Sequence, residues 1–215
     1  MSLANGPQSG SIPAPLEIVS PAPSRTRADA RRNNARVLDA ARGLVASRGL
    51  DAVTMDEIAE AAGVGKGTVY RAVGSRAGLA EALLDDAERE LQHLMLRGPP
   101  PLGHGAPAHQ RLAAFVSAYV DFLDDNVDLL IETERWGQGA RLRAGAYAFW
   151  LSHVSHLLRE AGHADPALLA HAILAPLSAD LYHHLRAHLG ASKGAIRTTL
   201  TDLAATVARG SAQRS

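Results

Sequence analysis

The stretch from Thr54 to Arg76 holds the residues whose types and spacing most clearly point to a chemical role. Hydroxyl, amine, guanidinium and phenol groups follow one another there, and glycines between them allow a close approach of the backbone to a ligand. Such groups donate hydrogen bonds to phosphate oxygens and base edges, which is the chemistry of nucleic-acid binding. The candidate residues are Thr54, Gly65, Lys66, Gly67, Thr68, Tyr70, Arg71 and Arg76.

Two short helices joined by a tight turn are predicted to position these groups. Thr54 and Glu57 have the spacing of a capping box, which starts a helix, and Gly63 suits the left-handed turn that ends it. A second helix is predicted over Lys66–Val73, with Val69 and Val73 facing inward. This order indicates a helix-turn-helix, whose second helix enters the DNA major groove. The alternative is an ordinary helical hairpin with a solvated basic face. The apolar face of the first helix is formed by Met55, Ile58, Ala59 and Ala62.

The same region resembles the amino-terminal domain of the tetracycline-repressor (TetR) family of transcriptional regulators, through RVLDAARGLVASRGLDAVTMDEIAEAAGVGKGTVYRAVGSRAGL. Two positions depart from the family pattern. Gly65 stands where the family often has a serine, and Val73 stands where the family often has an aromatic residue. The resemblance implies an all-α fold of about nine helices, with a three-helix helix-turn-helix domain followed by a larger helical domain for ligand binding and dimerisation. It also implies a homodimeric repressor that an unidentified small-molecule effector releases from a palindromic operator in double-stranded DNA.

Composition limits the classes of protein that this chain can belong to. Its 215 residues include no cysteine, which excludes disulfides and thiol catalysis and favours a cytoplasmic protein. No apolar run approaches the ~20 residues needed to cross a bilayer, so we expect no membrane partner. We predict a disordered tail over 1–24, a helix-turn-helix domain with a basic arm over 25–80, and a helical effector-binding and dimerisation domain over 81–210. No cofactor is predicted.

Charge is unevenly distributed along a chain whose formal net charge is zero. Residues 25–76 contain ten Lys or Arg and six Asp or Glu, a net charge of +4, which fits nucleic-acid binding by one end of the molecule. Four arginines form a basic stretch that leads into the first helix, which is predicted from about Ala30 to Arg48. They are either an arm that contacts DNA or a solvated run of charge: Arg25, Arg27, Arg31 and Arg32.

Helical periodicity continues after the helix-turn-helix. A long helix is predicted over Ser75–Leu96, a proline-rich loop over Arg97–Gln110, a helix with a face from Leu112 to Leu123, and a separate short helix over Val127–Arg135. Further helices are predicted over 140–161, over 165–189 with a bend at Pro176, and after Ser192.

A ligand pocket is one interpretation of the aromatic residues after residue 110, and core packing is the other. Carboxylate and guanidinium groups nearby could orient a polar ligand. The candidate pocket residues are Phe115, Tyr119, Phe122, Glu132, Arg135, Trp136, Tyr147 and Trp150.

The last two predicted helices carry apolar stripes. The TetR resemblance implies that they pair with their two-fold mates in a four-helix bundle, whereas in a monomer they would only complete the core. The candidate interface residues are Leu177, Leu181, Leu185, His188, Ile196, Leu200, Leu203 and Val207.

Two histidine pairs have the spacing of metal ligands on one helix face, His153 with His156 and His184 with His188. Neither pair has a cysteine or acidic partner nearby, so core or interface histidines, including a pH-sensitive interface, are the better interpretation and no metal site is predicted. No phosphate loop, nucleophile elbow or zinc-protease motif indicates an enzyme. An architectural DNA-binding protein fits poorly with zero net charge and a large non-basic body.

Overall fold

The computed structural model describes residues 25–134 and 145–209, and all regular elements within these ranges are helical. This agrees with the predicted all-α class. The amino-terminal elements are α1 (Arg25–Arg48), a 3-10 turn (Leu50–Ala52), α2 (Met55–Ala62), α3 (Lys66–Val73) and α4 (Arg76–Arg97). The remaining elements are α5 (Ala108–Glu134), α6 (Gly145–Glu160), α7 (Pro166–Leu174), α8 (Ala179–His183) with a π-helical turn (His184–His188), and α9 (Lys193–Arg209).

The ends of α2 and α4 are fixed by local hydrogen bonds. The Thr54 hydroxyl accepts from the Glu57 backbone N–H at 3.3 Å, and the Thr54 N–H donates to Glu57 Oε2 at 2.9 Å, so the predicted capping box is present. Ser75 caps α4 by accepting from the Gly78 N–H at 3.1 Å. These caps define where α2 begins and where α3 gives way to α4.

Two hydrophobic clusters form the core. The amino-terminal cluster packs α1 to α4 around Ile58 and includes Leu129 from the far end of α5. The carboxy-terminal cluster packs α5, α6, α7 and α9 around Phe115 and Trp150. Helix α4 belongs to both, because Leu83 lies in the first cluster and the next residue, Leu84, lies in the second. Helix α4 therefore connects the two parts of the molecule, and the end of α5 also contacts the amino-terminal cluster through Leu129.

Three predicted helix boundaries are wrong. Helix α1 begins at Arg25, about five residues before its predicted start, so the four arginines of the predicted arm all lie on this helix. Helix α5 runs without a break through Asp124–Val127, where the Asn126 side chain donates to the Phe122 carbonyl at 2.9 Å. The helix predicted over 165–189 is split at 175–178, because Pro176 cannot continue the backbone ladder and Ser178 caps a new helix.

Candidate functional site

The turn between α2 and α3 depends on Gly63. This glycine has φ 61° and ψ 40°, the left-handed region in which side chains are strained. Its carbonyl accepts from Arg36 Nη2 of α1 at 3.3 Å, and a Cβ at this position would lie 2.8 Å from that nitrogen. The corner of the helix-turn-helix is thus fixed by backbone conformation and by a contact from α1.

Helix α3 buries one face and exposes the other. Val69 and Val73 are buried in the amino-terminal cluster, as expected, while Lys66, Tyr70 and Arg71 are exposed. Tyr70 is 45% exposed, which is high for an aromatic side chain. Gly65 precedes the helix and has no side chain, so the first N–H groups of α3 receive no hydrogen bond from an N-cap side chain. Together with Gly67, it leaves the start of the helix open to a ligand.

Lys66 is held by an acidic residue of the preceding helix. Its Nζ lies 2.7 Å from Asp56 Oδ1, and the hydrogen bond and charge of Asp56 raise the pKa of Lys66. Arg71 Nη2 donates to Thr68 Oγ1 at 3.0 Å, one turn earlier on α3. Both basic groups are therefore oriented by neighbouring side chains.

A groove beside α3 is formed with the first turns of α1. Arg31, Asn33 and Asn34 of α1 line it together with Thr68 and Arg71, and its volume is about 560 Å³. The structure thus brings Arg31 beside the predicted groove-facing residues.

Three other sequence-predicted DNA contacts are engaged within the chain. Arg32 pairs with Asp29 on α1. The guanidinium of Arg76 donates to the carbonyls of Leu50 and Val53 and to Asp51, which ties the 3-10 turn to α4, so we do not retain it as a phosphate contact. The Thr54 hydroxyl donates to Glu57 Oε2 at 2.8 Å. Hydrogen bonds from Thr54 and Arg48 lower the pKa of Glu57 to about 2.

A cavity of about 220 Å³ lies between α4, α5, α6 and the start of α8. Three of the predicted pocket residues, Tyr119, Tyr147 and Trp150, line it. Phe115 and Phe122 are buried behind this wall, with ring centroids 5.7 Å and 5.3 Å from that of Tyr119. They support the wall and do not line the cavity.

Glu132 is half-buried and does not line the cavity, which corrects its predicted role. Arg135 and Trp136 lie outside the described residues.

Acidic residues of α4 complete the cavity, and the sequence interpretation missed them. Glu81, Asp85 and Glu88 line it together with Leu84, at the i, i+3, i+4, i+7 spacing of one helix face. This spacing was visible in the sequence, but the leucine stripe of α4 was the stronger pattern. Burial, and secondarily the charge of Asp85, raise the pKa of Glu88 to about 7.

The predicted dimer residues fall into three groups by burial. Leu177 and Ile196 are buried within the single chain, and Leu177 lines the cavity, so neither is available to a partner. Leu185, Leu200 and Val207 are half-buried against the carboxy-terminal cluster. The exposed positions are Leu181, His188 and Leu203, and the sequence interpretation missed the exposed Leu189.

The histidine pairs have different surroundings. His153 is half-buried against Phe115, and burial followed by the charge of Arg111 lowers its pKa to about 4. The ring of His156 faces an acidic residue, with Nε2 lying 3.4 Å from Glu160 Oε1. The rings of His184 and His188 meet edge to face, with centroids 5.3 Å apart. Within residues 25–134 and 145–209, no group of three His, Asp or Glu is arranged to hold a metal ion.

No helix in the described ranges combines the length and the apolar character needed to span a bilayer.

Sequence comparison identifies relatives of the helix-turn-helix region. The family model for bacterial regulatory proteins of the tetR family matches residues 37–83. The HTH-type transcriptional regulator TtgR of Pseudomonas putida is 36% identical over 70 residues, which are 33% of this chain and 33% of that protein. YvkB of Bacillus subtilis, an uncharacterised HTH-type transcriptional regulator, is 43% identical over 68 residues, 32% of this chain and 33% of its own. The match thus spans about a third of these relatives.

Comparison with solved structures extends the likeness to the whole fold. A tetR-family transcriptional regulator from Streptomyces coelicolor has a TM-score of 0.57 at 20% identity, over 82% of this chain and 80% of its own. A structure from Saccharomonospora viridis in complex with choline has a TM-score of 0.60 at 20% identity, over 80% and 95%. At such identities these structures support the fold alone. The family model and the named relatives identify residues 37–83 as a helix-turn-helix domain of the tetR family of bacterial regulatory proteins, and the chain as a whole shares the fold of a solved regulator of that family.

Proposed function

We propose that this chain is a dimeric, sequence-specific DNA-binding regulator, and that a small-molecule effector releases it from a palindromic operator. The observation that carries this proposal is the outer face of α3. Exposed Lys66, Tyr70 and Arg71 stand beside an open helix start at Gly65, on a helix fixed by the Gly63 corner. Such a face combines phosphate donors with side chains that can read base edges.

The outer face of α3 is small, and this favours a dimer. One recognition helix contacts few base pairs, and two helices about one DNA turn apart provide the missing specificity. Leu181 on α8, Leu189 just after the π-helical turn and Leu203 on α9 are large apolar side chains that the single chain leaves exposed. A surface of this kind suits contact with a second copy.

The path from effector to DNA runs along α4. Glu81, Leu84, Asp85 and Glu88 line the cavity. On the same helix, Leu79 and Leu83 pack in the amino-terminal cluster. Only Gly74 and Ser75 separate α3 from α4. A ligand that favours one position of α4 therefore changes the placement of α3, and two displaced recognition helices no longer match both half-sites. The choline found with the S. viridis structure is consistent with a small-molecule site in this fold.

Selection of genomic fragments by the purified chain at near-physiological salt tests the proposal. We expect enrichment of a near-palindrome by the wild-type chain and loss of that enrichment by Arg71→Ala and Tyr70→Ala. Arg159→Ala, which removes an exposed arginine from α6, is the matched control and should enrich the same fragments. Weak retention of all fragments, equally by all variants, would overturn the proposal and favour an architectural role.

A further inference from the structure

The cavity has two chemically different walls. Helix α4 provides three carboxylates, Glu81, Asp85 and Glu88. The aromatic side chains of Tyr119, Tyr147 and Trp150 line the other sides, on α5 and α6. Among the described residues that line it, none is Lys, Arg or His. A row of carboxylates alone on a helix would be a solvated face, but here the carboxylates share a cavity with aromatic rings.

Glu88 is the carboxylate for which the chain provides least compensation. It is half-buried, and within the described part of the chain it forms no ion pair or hydrogen bond. The carboxylate of Asp85, one turn earlier, carries the same charge as Glu88 and repels it. Asp85 itself forms an ion pair with Arg89, in which Oδ2 lies 3.7 Å from Nη2. Burial, followed by the charge of Asp85, raises the pKa of Glu88 to about 7, and the charge of Arg89 offsets only part of this rise. A cationic ligand would supply the remaining compensation.

The aromatic wall is buried and suited to the same ligand. Trp150 is 1% exposed and meets the ring of Tyr119 edge to face at 5.7 Å, while Tyr147 O–H pairs with His171 Nδ1 at 2.8 Å. Aromatic faces attract cations through their quadrupole, most strongly in sites that exclude water. They also provide apolar area for the uncharged part of a ligand.

We propose that this cavity binds a small organic cation, a protonated amine or quaternary ammonium on an apolar body, with its charge at Glu88 and its body against Tyr147 and Trp150. This inference rests on the proposed function, in which the same cavity is the effector site. The volume of about 220 Å³ lies just below the ~300–1,000 Å³ of typical small-molecule sites, which favours a compact ligand.

Three probes with one aromatic body and different charge test this inference by calorimetry on the full chain without DNA. The probes are 2-phenylethylammonium, neutral 2-phenylethanol and anionic 3-phenylpropionate. We expect the cation to bind at least ~10-fold more tightly than the alcohol, and the anion to bind more weakly still.

Substitutions on α4 locate the charge. Glu88→Gln preserves shape and removes the anion, so it should lower the affinity for the cation to near that for the alcohol, without changing the affinity for the alcohol. Asp85→Asn provides a second variant and should cause a smaller loss, because Asp85 is more exposed and paired. Glu90→Gln, on the same helix but not lining this cavity, is the matched control and should bind as the wild-type chain. Circular dichroism checks that each variant is folded.

The outcomes separate this inference from the proposed function. Equal affinities for the three probes, preference for the anion, absence of cation binding, or cation binding that Glu88→Gln leaves unchanged would each overturn the cation assignment. Tight cation binding together with the Glu88→Gln loss supports it even if the selected DNA stays bound, in which case release by effector is the part that fails. Specific DNA binding with preference for the anion would leave the regulator proposal standing and refute the cation.

Discussion

Replacement of Glu88 by Gln should make the folded chain more stable at neutral pH. The pKa of this carboxyl is raised from 4.5 to about 7 by burial and by Asp85, so the folded state disfavours its ionised form. A difference of that size corresponds to at most ~3.4 kcal/mol of destabilisation. Glu88 is only partly buried, and solvent screening reduces the expected effect to about 1–2 kcal/mol.

The sign follows from which state binds the proton more tightly. Because the pKa is higher in the folded chain than in the unfolded chain, the cost of Glu88 is absent below pH 4.5, grows as pH rises to 7, and is constant above 7. The stability of Glu88→Gln relative to wild type should therefore increase from pH 5 to pH 8. Urea denaturation followed by circular dichroism at several pH values in this range measures the difference.

Glu90→Gln controls for the loss of one negative charge from α4, and it should follow the pH dependence of the wild-type chain. A stability difference between Glu88→Gln and wild type that does not change with pH would refute the description of Glu88 as an uncompensated, partly buried acid. Greater stability of the wild-type chain at pH 8 would refute it as well, and it would indicate a partner for this carboxylate.

Three further predictions test other parts of the structure. Gly63→Ala should lower the free energy of unfolding by about 1–2 kcal/mol, because the left-handed backbone opposes a Cβ; chemical denaturation measures this, and an unchanged midpoint would contradict it. Asp56→Asn should raise DNA affinity about 3- to 10-fold by releasing Lys66, with Glu60→Gln as the control in an anisotropy titration; unchanged affinity would show that the ion pair does not compete with DNA. Leu203→Glu should convert a dimer to a monomer in sedimentation analysis, and a dimer of unchanged stability would remove α9 from the interface.

The helix-turn-helix could be predicted from sequence because its signals are local. The Thr54–Glu57 cap, the Gly63 corner and the apolar spacing of α2 each involve residues within one or two turns of one another, and all three are present. Boundaries that depend on tertiary contacts were less predictable. Helix α5 continues past Asp124 because packing on α4 and α9 stabilises it, and no local breaker is present there.

The candidate site was predicted only in part, since its composition depends on how distant helices meet. Tyr119, Tyr147 and Trp150, which are aromatic candidates in the sequence, line the cavity, but nothing local distinguishes them from Phe115, which is core. Glu88 belongs to the site only because α4 presents a second face to α5 and α6. Arg76 resembled a phosphate donor in sequence, but the fold brings the carbonyls of the 3-10 turn to its guanidinium.

The most direct test of the central claim is an anisotropy titration of the selected near-palindrome against a scrambled duplex, at near-physiological salt. If α3 reads sequence, the wild-type chain should prefer the palindrome by at least ~10³-fold, and Arg71→Ala should lose a large part of that preference while Arg159→Ala retains it. Equal affinity of the wild-type chain for both duplexes, or a preference that Arg71→Ala leaves intact, would contradict sequence recognition by this helix.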